Sequence, residues 1–177
     1  MKVGFSAAQG TGKTTAVYEL AALLKKHGTG HDVYVISEVA RKCPFLINEK
    51  TTIKAQEWIM TKMIQEELEA KAEIIIHDRT LLDSWIYGLR IAPDYFERLR
   101  PYVHNYLCGY DIIFVLPPND KYLTNDGTRS TNKKFRDEID NLMQAEIKQL
   151  PSQVNVIRGG VPWANLEKVL AIMSTGS

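Results

Sequence analysis

The sequence predicts a three-layer α/β fold, in which a five-stranded parallel sheet carries helices on both faces. Short apolar runs alternate with longer amphipathic segments along the chain, which is the pattern of parallel strands joined by crossover helices. The apolar runs are continuous, as expected for strands that are buried on both faces. With 177 residues, 45% of them hydrophobic, we expect a single domain over residues 1–177 with a sizeable core.

The individual elements follow from these runs and from the turn residues between them. The strands are predicted at Lys2 to Ser6, Asp32 to Ser37, Glu73 to His77, Asp111 to Leu116 and Gln153 to Ile157. The helices are predicted at Lys13 to His27, Ile53 to Lys71, Leu81 to Leu89, Asp94 to Leu107, Asn132 to Gln149 and Trp163 to Met173. Residues 117–131 form the only long polar stretch without periodicity, and we expect a loop there.

Charge and composition exclude several classes of protein. The formal net charge is +1, which does not favour nucleic acid as a partner. The two cysteines, Cys43 and Cys108, are too far apart in sequence for a metal site or a redox pair. No segment has the apolar length of a membrane span or the pattern of a cleavable signal peptide, so the sequence predicts a cytoplasmic protein without a membrane partner.

The first predicted strand runs into a phosphate-binding loop. The pattern GxxxxGK[ST] is met at Gly12, Lys13 and Thr14, whereas Ala7 replaces its first glycine. In such a loop the backbone N–H groups surround phosphate oxygens, the lysine reaches the β- and γ-phosphates, and the hydroxyl binds Mg²⁺. We therefore predict that ATP is bound by a contiguous set of residues: Gln9, Gly10, Thr11, Gly12, Lys13, Thr14 and Thr15.

A carboxylate and a guanidinium follow the second strand, at the edge of the sheet where ligands of α/β proteins bind. Glu38 is a candidate general base for an attacking hydroxyl, and Arg41 a candidate ligand of an anionic or sugar group. The alternative is a solvated pair of loop residues.

The third strand ends in Asp78 and Arg79. Asp78 is predicted to hold Mg²⁺ together with Thr14, and Arg79 to face the transferred phosphoryl group. Hydrolysis as the main activity is disfavoured, because an arginine cannot polarise water as the glutamate of motor ATPases does. For Asp78, a helix N-cap is an alternative role that is compatible with the first.

The polar loop at about 117–131 is predicted to be a lid that closes over the phosphates. Arg129 is the favoured lid cation, and Arg136 follows it on the next helix. An ordinary surface loop with a helix cap at Ser130 or Thr131 explains the polarity equally well.

These motifs together resemble the kinase-like P-loop ATPases, a group of AAA domains related to the ribosylnicotinamide kinase domain of bacterial NAD regulators. Deoxynucleoside kinases and nucleoside monophosphate kinases are more distant. The matching stretches span most of the chain in the expected order: FSAAQGTGKTT, SEVAR, AQEW, HDRTLLDSW and NDGTRSTNKKFRDEID.

The resemblance implies a P-loop NTPase fold and roles for particular residues. In deoxynucleoside kinases a glutamate similar to Glu38 acts as base and a glutamine similar to Gln56 reads the nucleobase. Arg79 resembles the arginine of their acid-Arg-Ser motif, and Arg129 their lid arginine. The substrate-binding set is therefore Glu38, Arg41, Gln56 and Arg79. Three aromatic residues, Trp85, Tyr87 and Tyr95, are interpreted as packing residues.

The sequence thus predicts an ATP- and Mg²⁺-dependent kinase for a nucleoside-, nucleotide- or nicotinamide-riboside-like acceptor, with Lys13, Glu38, Asp78, Arg79 and Arg129 as catalytic residues. One alternative is a regulatory ATPase or nucleotide switch with a protein partner, and another is a nucleic-acid kinase. The oligomeric state stays open, a homodimer included.

Overall fold

The computed structural model describes residues 1–26, 30–37, 39–122, 130–159, 167 and 169–171. Five parallel strands form one sheet in the order β2-β3-β1-β4-β5. Their bounds are Lys2–Ser6 (β1), Val33–Ile36 (β2), Ile74–Asp78 (β3), Ile112–Val115 (β4) and Val156–Arg158 (β5). The predicted five-stranded parallel sheet is confirmed.

Six α-helices connect or flank the strands within the described residues. They are Lys13–Lys26 (α1), Ile53–Glu69 (α2), Leu81–Ile91 (α3), Pro93–Glu97 (α4), Arg100–Leu107 (α5) and Lys133–Ile147 (α6). Short 3₁₀ helices lie at Val39–Lys42, Asn48–Lys50 and Asp120–Tyr122. Most of the helix predicted at 163–173 lies outside the described residues, and residues 167 and 169–171 within it are helical. None of the helices described is long and apolar enough to cross a membrane.

The strands are buried on both faces, so that the fold has three layers. Along β4, Ile112 and Phe114 belong to one hydrophobic cluster and Ile113 and Val115 to the other. The first cluster contains α1, and the second contains residues of α2, α3, α5 and α6. Because alternate side chains of a strand point to opposite faces, this division places a helical layer on each side of the sheet.

Helix α3 lies in the middle of the second layer. Every side chain from Leu81 to Leu89 is buried, and the helix contacts α2, α4, α5 and α6. Its N-terminus is fixed by a capping box, in which Thr80 Oγ1 accepts from Leu82 N and Asp83 Oδ2 accepts from Thr80 N. The start of α3, directly after β3, is therefore held firmly against the sheet.

Two predicted elements differ from the structure by more than the one or two residues seen at the other helix and strand ends. The single helix predicted from Asp94 to Leu107 is two helices, because Pro101 lacks an N–H and its ring would clash inside a continuous helix; it lies instead in the first turn of α5. Strand β5 begins at Val156 and not at Gln153, because Val154 N donates to Pro151 O in a turn.

A glycine in α3 permits a close contact with α4. A Cβ at Gly88 would lie 2.3 Å from the ring of Phe96, a residue that is fully buried and whose carbonyl accepts a hydrogen bond from Trp85 Nε1. We expect Gly88→Ala to lower the free energy of unfolding by about 1–3 kcal/mol through overpacking, although alanine has the higher helix propensity. Urea denaturation of Gly88→Ala, Phe96→Leu and the double variant tests this. The two effects should be strongly non-additive, with the double variant more stable than their sum predicts, and additive effects would contradict the contact.

A buried histidine predicts a loss of stability in acid. His77 in β3 packs against Tyr110, and its Nε2 lies 3.3 Å from Glu67 Oε2 without hydrogen-bonding geometry. Burial lowers the pKa of His77 to about 4, although Glu67 opposes the shift. The imidazole of His77 is protonated near pH 6.5 in the unfolded chain but only near pH 4 in the folded chain. The contribution of His77 to the free energy of unfolding is therefore complete above pH 6.5 and falls by about 3 kcal/mol as the pH drops to 4.

The measurement is the free energy of unfolding between pH 7 and 4.5 for the native chain and for His77→Gln. The variant should show a shallower decline over this range, because glutamine does not titrate. An identical decline in both would contradict the assignment of the acid sensitivity to His77.

Candidate active site

The site lies at the carboxyl ends of the three central strands. β1 pairs with β3 on one side and with β4 on the other, so the segments that follow these strands meet at one edge of the sheet. This crevice is where ligands of open α/β sheets bind. The loop between β1 and α1 and the residues after β3 both lie there.

The loop between β1 and α1 has the backbone geometry of a phosphate cradle. Gly10 and Gly12 have φ of 69° and 78°, a region that suits glycine and is costly for other residues. A pocket is lined by residues from Ala8 to Lys13 together with Arg79. Ala7, the departure from the sequence pattern, is absent from the described non-glycine residues with positive φ, and the substitution of alanine for glycine therefore introduces no backbone strain.

Three residues of the predicted metal and phosphate site come together at the start of α1. Lys13 Nζ donates a hydrogen bond to Asp78 Oδ1, and Thr14 Oγ1 donates to Asp78 Oδ2 over 2.7 Å. The side chain of Asp78 is only 1% exposed and that of Lys13 5%. A carboxylate buried to this extent requires a cationic partner and hydrogen-bond donors, and α1 supplies both. Thr15, in the same helical turn, is exposed.

Arg79 has an unusual backbone conformation. Its φ is 90°, which is strained for any residue with a Cβ. Its N–H donates to Phe5 O, and its guanidinium lies 3.4 Å from Asp83 Oδ1 and 5.8 Å from the ring centroid of Tyr87. The turn thus directs the side chain of Arg79 towards α3 and the pocket beside the phosphate cradle.

A second pocket adjoins the cradle. The space between its lining atoms is about 490 Å³, open solvent at the mouth included. One wall consists of buried residues of α3, namely Asp83, Ser84 and Tyr87. The opposite wall consists of less buried residues of the segment after β2, namely Ala40, Arg41, Ile47 and Asn48. Gln9 and Arg79 line this pocket as well as the cradle.

The predicted substrate ligands are distributed as follows. Gln56 on α2 lines the second pocket, is 3% exposed, and donates from Nε2 to Thr51 Oγ1 over 2.7 Å. Arg41 lines the same pocket from an exposed position in the first 3₁₀ helix. Glu38 and Arg129 lie outside the described residues, and the predictions for them stay predictions.

The described part of the loop after β4 packs on the phosphate cradle. Asn119 N donates to Gly10 O over 3.2 Å, and a Cβ at Gly12 would lie 2.9 Å from the ring of Tyr122. Arg136 is buried and donates from Nη1 to Asp120 Oδ1 over 2.7 Å, and this pair raises the pKa of Arg136. Arg136 therefore anchors the start of the predicted lid to α6.

Sequence reasoning missed the wall of the pocket that α3 provides. Tyr87 was interpreted as a packing residue, yet it lines the pocket and donates from Oη to Gln9 Oε1 over 3.1 Å. The signal that points to it is a polar stripe at helical spacing: Thr80, Asp83, Ser84 and Tyr87 occupy positions i, i+3, i+4 and i+7. A stripe of this kind, directly after Asp78 and Arg79, indicates that the helix faces the site.

Comparison with known proteins agrees with this geometry. A protein family described as an AAA domain matches residues 2–163. No curated protein sequence matches the chain. Among solved structures, deoxyadenosine kinase from M. mycoides with the products dCMP and dCDP is similar to it, with a TM-score of 0.66, 22% identity and complete coverage of both chains.

The NadR protein also resembles this chain. Its complex with NR has a TM-score of 0.74 at 20% identity, and the similarity covers 98% of this chain and 51% of that one. Its complex with NAD and AMP-PNP has a TM-score of 0.68 at 18% identity, over 98% and 49% of the two chains. This chain therefore spans about half the length of the NadR protein. At such identities the similarity is one of fold.

The strain at Arg79 predicts a difference in stability between two variants of this residue. Arg79→Gly and Arg79→Ala remove the same side-chain contacts, but only glycine adopts a φ of 90° without cost. We expect the glycine variant to be more stable than the alanine variant by about 1 kcal/mol. Thermal and urea unfolding of the two variants gives the difference. Equal stabilities would show that the backbone at this position is unstrained.

Proposed function

Because this chain belongs to the AAA domain family, whose phosphate-binding loop it carries at the edge of a kinase-like sheet, we propose that it is an ATP-dependent kinase for a small acceptor. The observation that supports this most strongly is the arrangement of the two pockets. The phosphate cradle and the larger pocket share Gln9 and Arg79, so a nucleotide on the loop would direct its terminal phosphate towards a compound in the second pocket. Phosphoryl transfer requires this juxtaposition of donor and acceptor.

The nucleotide is bound through its phosphates. Backbone N–H groups from Gln9 to Thr15 surround them at the N-terminus of α1, where the helix dipole also favours anions. Lys13 moves from its contact with Asp78 to the β- and γ-phosphates. Arg129 is the proposed lid cation for the γ-phosphate, and the segment before it, at Asn119 and Tyr122, packs on Gly10 and Gly12.

The residues present suit a magnesium ion. Thr14 and Asp78 offer a hydroxyl and a carboxylate 2.7 Å apart, the hard oxygen ligands that Mg²⁺ takes in phosphoryl-transfer enzymes along with phosphates and water. Within the described residues no cluster of three or more histidine, cysteine, aspartate or glutamate side chains could form an all-protein metal cage, and a site completed by phosphates needs none. Bound there, Mg²⁺ would neutralise charge on the β- and γ-phosphates.

The second pocket receives the acceptor. The acceptor is a nucleoside, a nucleotide or a nicotinamide-riboside-like compound, because the structural neighbours with NR and with dCMP bound take ligands of these kinds. The bond from Gln56 Nε2 to Thr51 leaves the amide oxygen of Gln56 to accept from a planar, hydrogen-bonding ring. Arg41 at the open wall binds a sugar hydroxyl or a phosphate of the acceptor.

In the transfer step, an oxygen of the acceptor forms a bond to the γ-phosphorus as the bond from that phosphorus to the β-γ bridging oxygen breaks. The electron pair of the broken bond leaves with ADP. If the attacking group is a hydroxyl, its proton passes to the carboxylate of Glu38; a phosphate acceptor needs no base. Lys13, Arg79 and Arg129 stabilise the charge on the equatorial oxygens.

A nucleotide-dependent switch is the second candidate, and the packing of residues 117–122 on the cradle favours it. This segment is tied to α6 through Asp120, which accepts from both Arg136 and Lys133. A change at the phosphate cradle would therefore reach α6, whose outer face is exposed and accessible to a protein partner. In that case ATP turnover would be slow and independent of small acceptors.

The decisive experiment measures ATP consumption with Mg²⁺ across nucleosides, nucleoside monophosphates, nicotinamide riboside and short oligonucleotides, with mass spectrometry of the products. We expect one class of small acceptor to stimulate turnover and to appear phosphorylated. Lys13→Ala should abolish the stimulated rate, because the phosphates lose their main cationic partner. Lys62→Ala, on a partly exposed lysine of α2, is the matched control and should retain full activity. ATP binding without stimulation by any acceptor would contradict the kinase and favour the switch.

A further inference from the structure

In the described part of the chain, two residues lie between the phosphate cradle and the second pocket. Gln9 and Arg79 line both the phosphate cradle and the acceptor pocket. A phosphoryl group that passes from one pocket to the other has to lie against this boundary. Arg79 supplies a positive charge there, whereas the proposed function uses only the backbone N–H of Gln9.

The side chain of Gln9 is buried and half satisfied. It is 3% exposed, and its Oε1 accepts a hydrogen bond from Tyr87 Oη over 3.1 Å. Its Nε2 is buried without a hydrogen-bond partner among the residues that the structure describes. A buried donor without a partner destabilises the fold and is rare in native proteins. An orphaned donor at the boundary of two ligand pockets indicates that a ligand completes it.

Tyr87 determines which end of the amide is left for that ligand. Its ring is buried and packs edge-on against Phe135, with centroids 5.8 Å apart, so its hydroxyl is held in place. By donating to Oε1, it leaves the two N–H groups of Nε2, which can only donate. A ligand atom that only accepts hydrogen bonds fits this end, and a phosphoryl oxygen is such an atom.

We propose that Gln9 Nε2 donates a hydrogen bond to a non-bridging oxygen of the γ-phosphoryl group, and that Tyr87 is the positioning residue that orients the amide. The inference rests on the proposed function, because it requires a nucleotide in the cradle. Gln9 adds a neutral donor opposite the positive charges of Lys13 and Arg79. It thereby holds the phosphoryl group at the boundary without further increasing the charge there.

Binding of two nucleotides that differ in the γ-phosphate tests the contact without turnover. Calorimetry gives the Kd of ADP and of AMP-PNP, each with Mg²⁺, for the native chain, Gln9→Glu and Gln9→Met. Gln9→Glu should keep the bond from Tyr87 but place a carboxylate oxygen against the phosphoryl oxygen, and the preference for AMP-PNP over ADP should fall by about tenfold or more. Gln9→Met, which loses the donor without adding charge, should reduce this preference by a few-fold. Gln149→Met, remote on the surface, should match the native chain.

The positioning role of Tyr87 has its own readout. Tyr87→Phe should lower the preference for AMP-PNP as Gln9→Met does, and the double variant should be no worse than Gln9→Met alone, because both changes remove one contact. Tyr102→Phe, on an exposed tyrosine of α5, is the control. With the acceptor that the kinase assay identifies, the Gln9 and Tyr87 variants should lower kcat more than they raise the KM for ATP.

The binding measurements distinguish a failure of the Gln9 contact from a failure of the proposed function. If the native chain binds AMP-PNP and the Gln9 variants weaken ADP and AMP-PNP equally, Gln9 has a structural role and this inference fails while the proposed function stands. If the native chain binds neither nucleotide, the proposed function itself fails and the inference with it. Should Gln9→Glu not fold, as judged by circular dichroism, Gln9→Met and Tyr87→Phe decide the matter in the same way.

Discussion

The carboxylate of Asp83 joins the parts of the site that come from different regions of the chain. It accepts a hydrogen bond from the N–H of Thr80 over 2.9 Å, at the start of α3. It also accepts one from the N–H of Ala7 over 3.2 Å, at the start of the phosphate loop. The same carboxylate lies 3.4 Å from the guanidinium of Arg79. A buried carboxylate at a helix N-terminus is stabilised by backbone donors and by the helix dipole, so this charge is paired and hydrogen-bonded even though it is 1% exposed.

The two pockets depend on that arrangement. The phosphate loop and the start of α3 both donate hydrogen bonds to the side chain of Asp83. These two bonds fix the distance between the loop and the helix that lines the second pocket. Ser6 and Thr80 add a second link through their hydroxyls, 2.8 Å apart. Preorganisation of this kind is what phosphoryl transfer requires, because its catalysis consists mainly of positioning and charge stabilisation.

Much of the fold could be predicted from the sequence, because its signals are local. The apolar runs predict all five strands, the motif around Lys13 predicts the turn after β1, and the magnesium site predicted at Thr14 and Asp78 agrees with the hydrogen bond between these residues. The boundaries that the sequence does not predict have physical causes that act over a few residues, such as Pro101 in the first turn of α5. The position of Tyr87 could be read only from a polar stripe within an apolar helix, since an aromatic residue there usually belongs to the core.

The two segments that line the second pocket differ in how deeply they are buried. Helix α3 is buried on every side, so a substitution on its wall that suited a new acceptor would also disturb the packing of four neighbouring helices. Of the lining residues after β2, Ala40 and Ile47 pack against the core, whereas Arg41 is exposed, and substitutions at Arg41 change few core contacts. On the proposed function, a change of acceptor preference should therefore proceed through the segment after β2, at Arg41 first, while α3 stays constant.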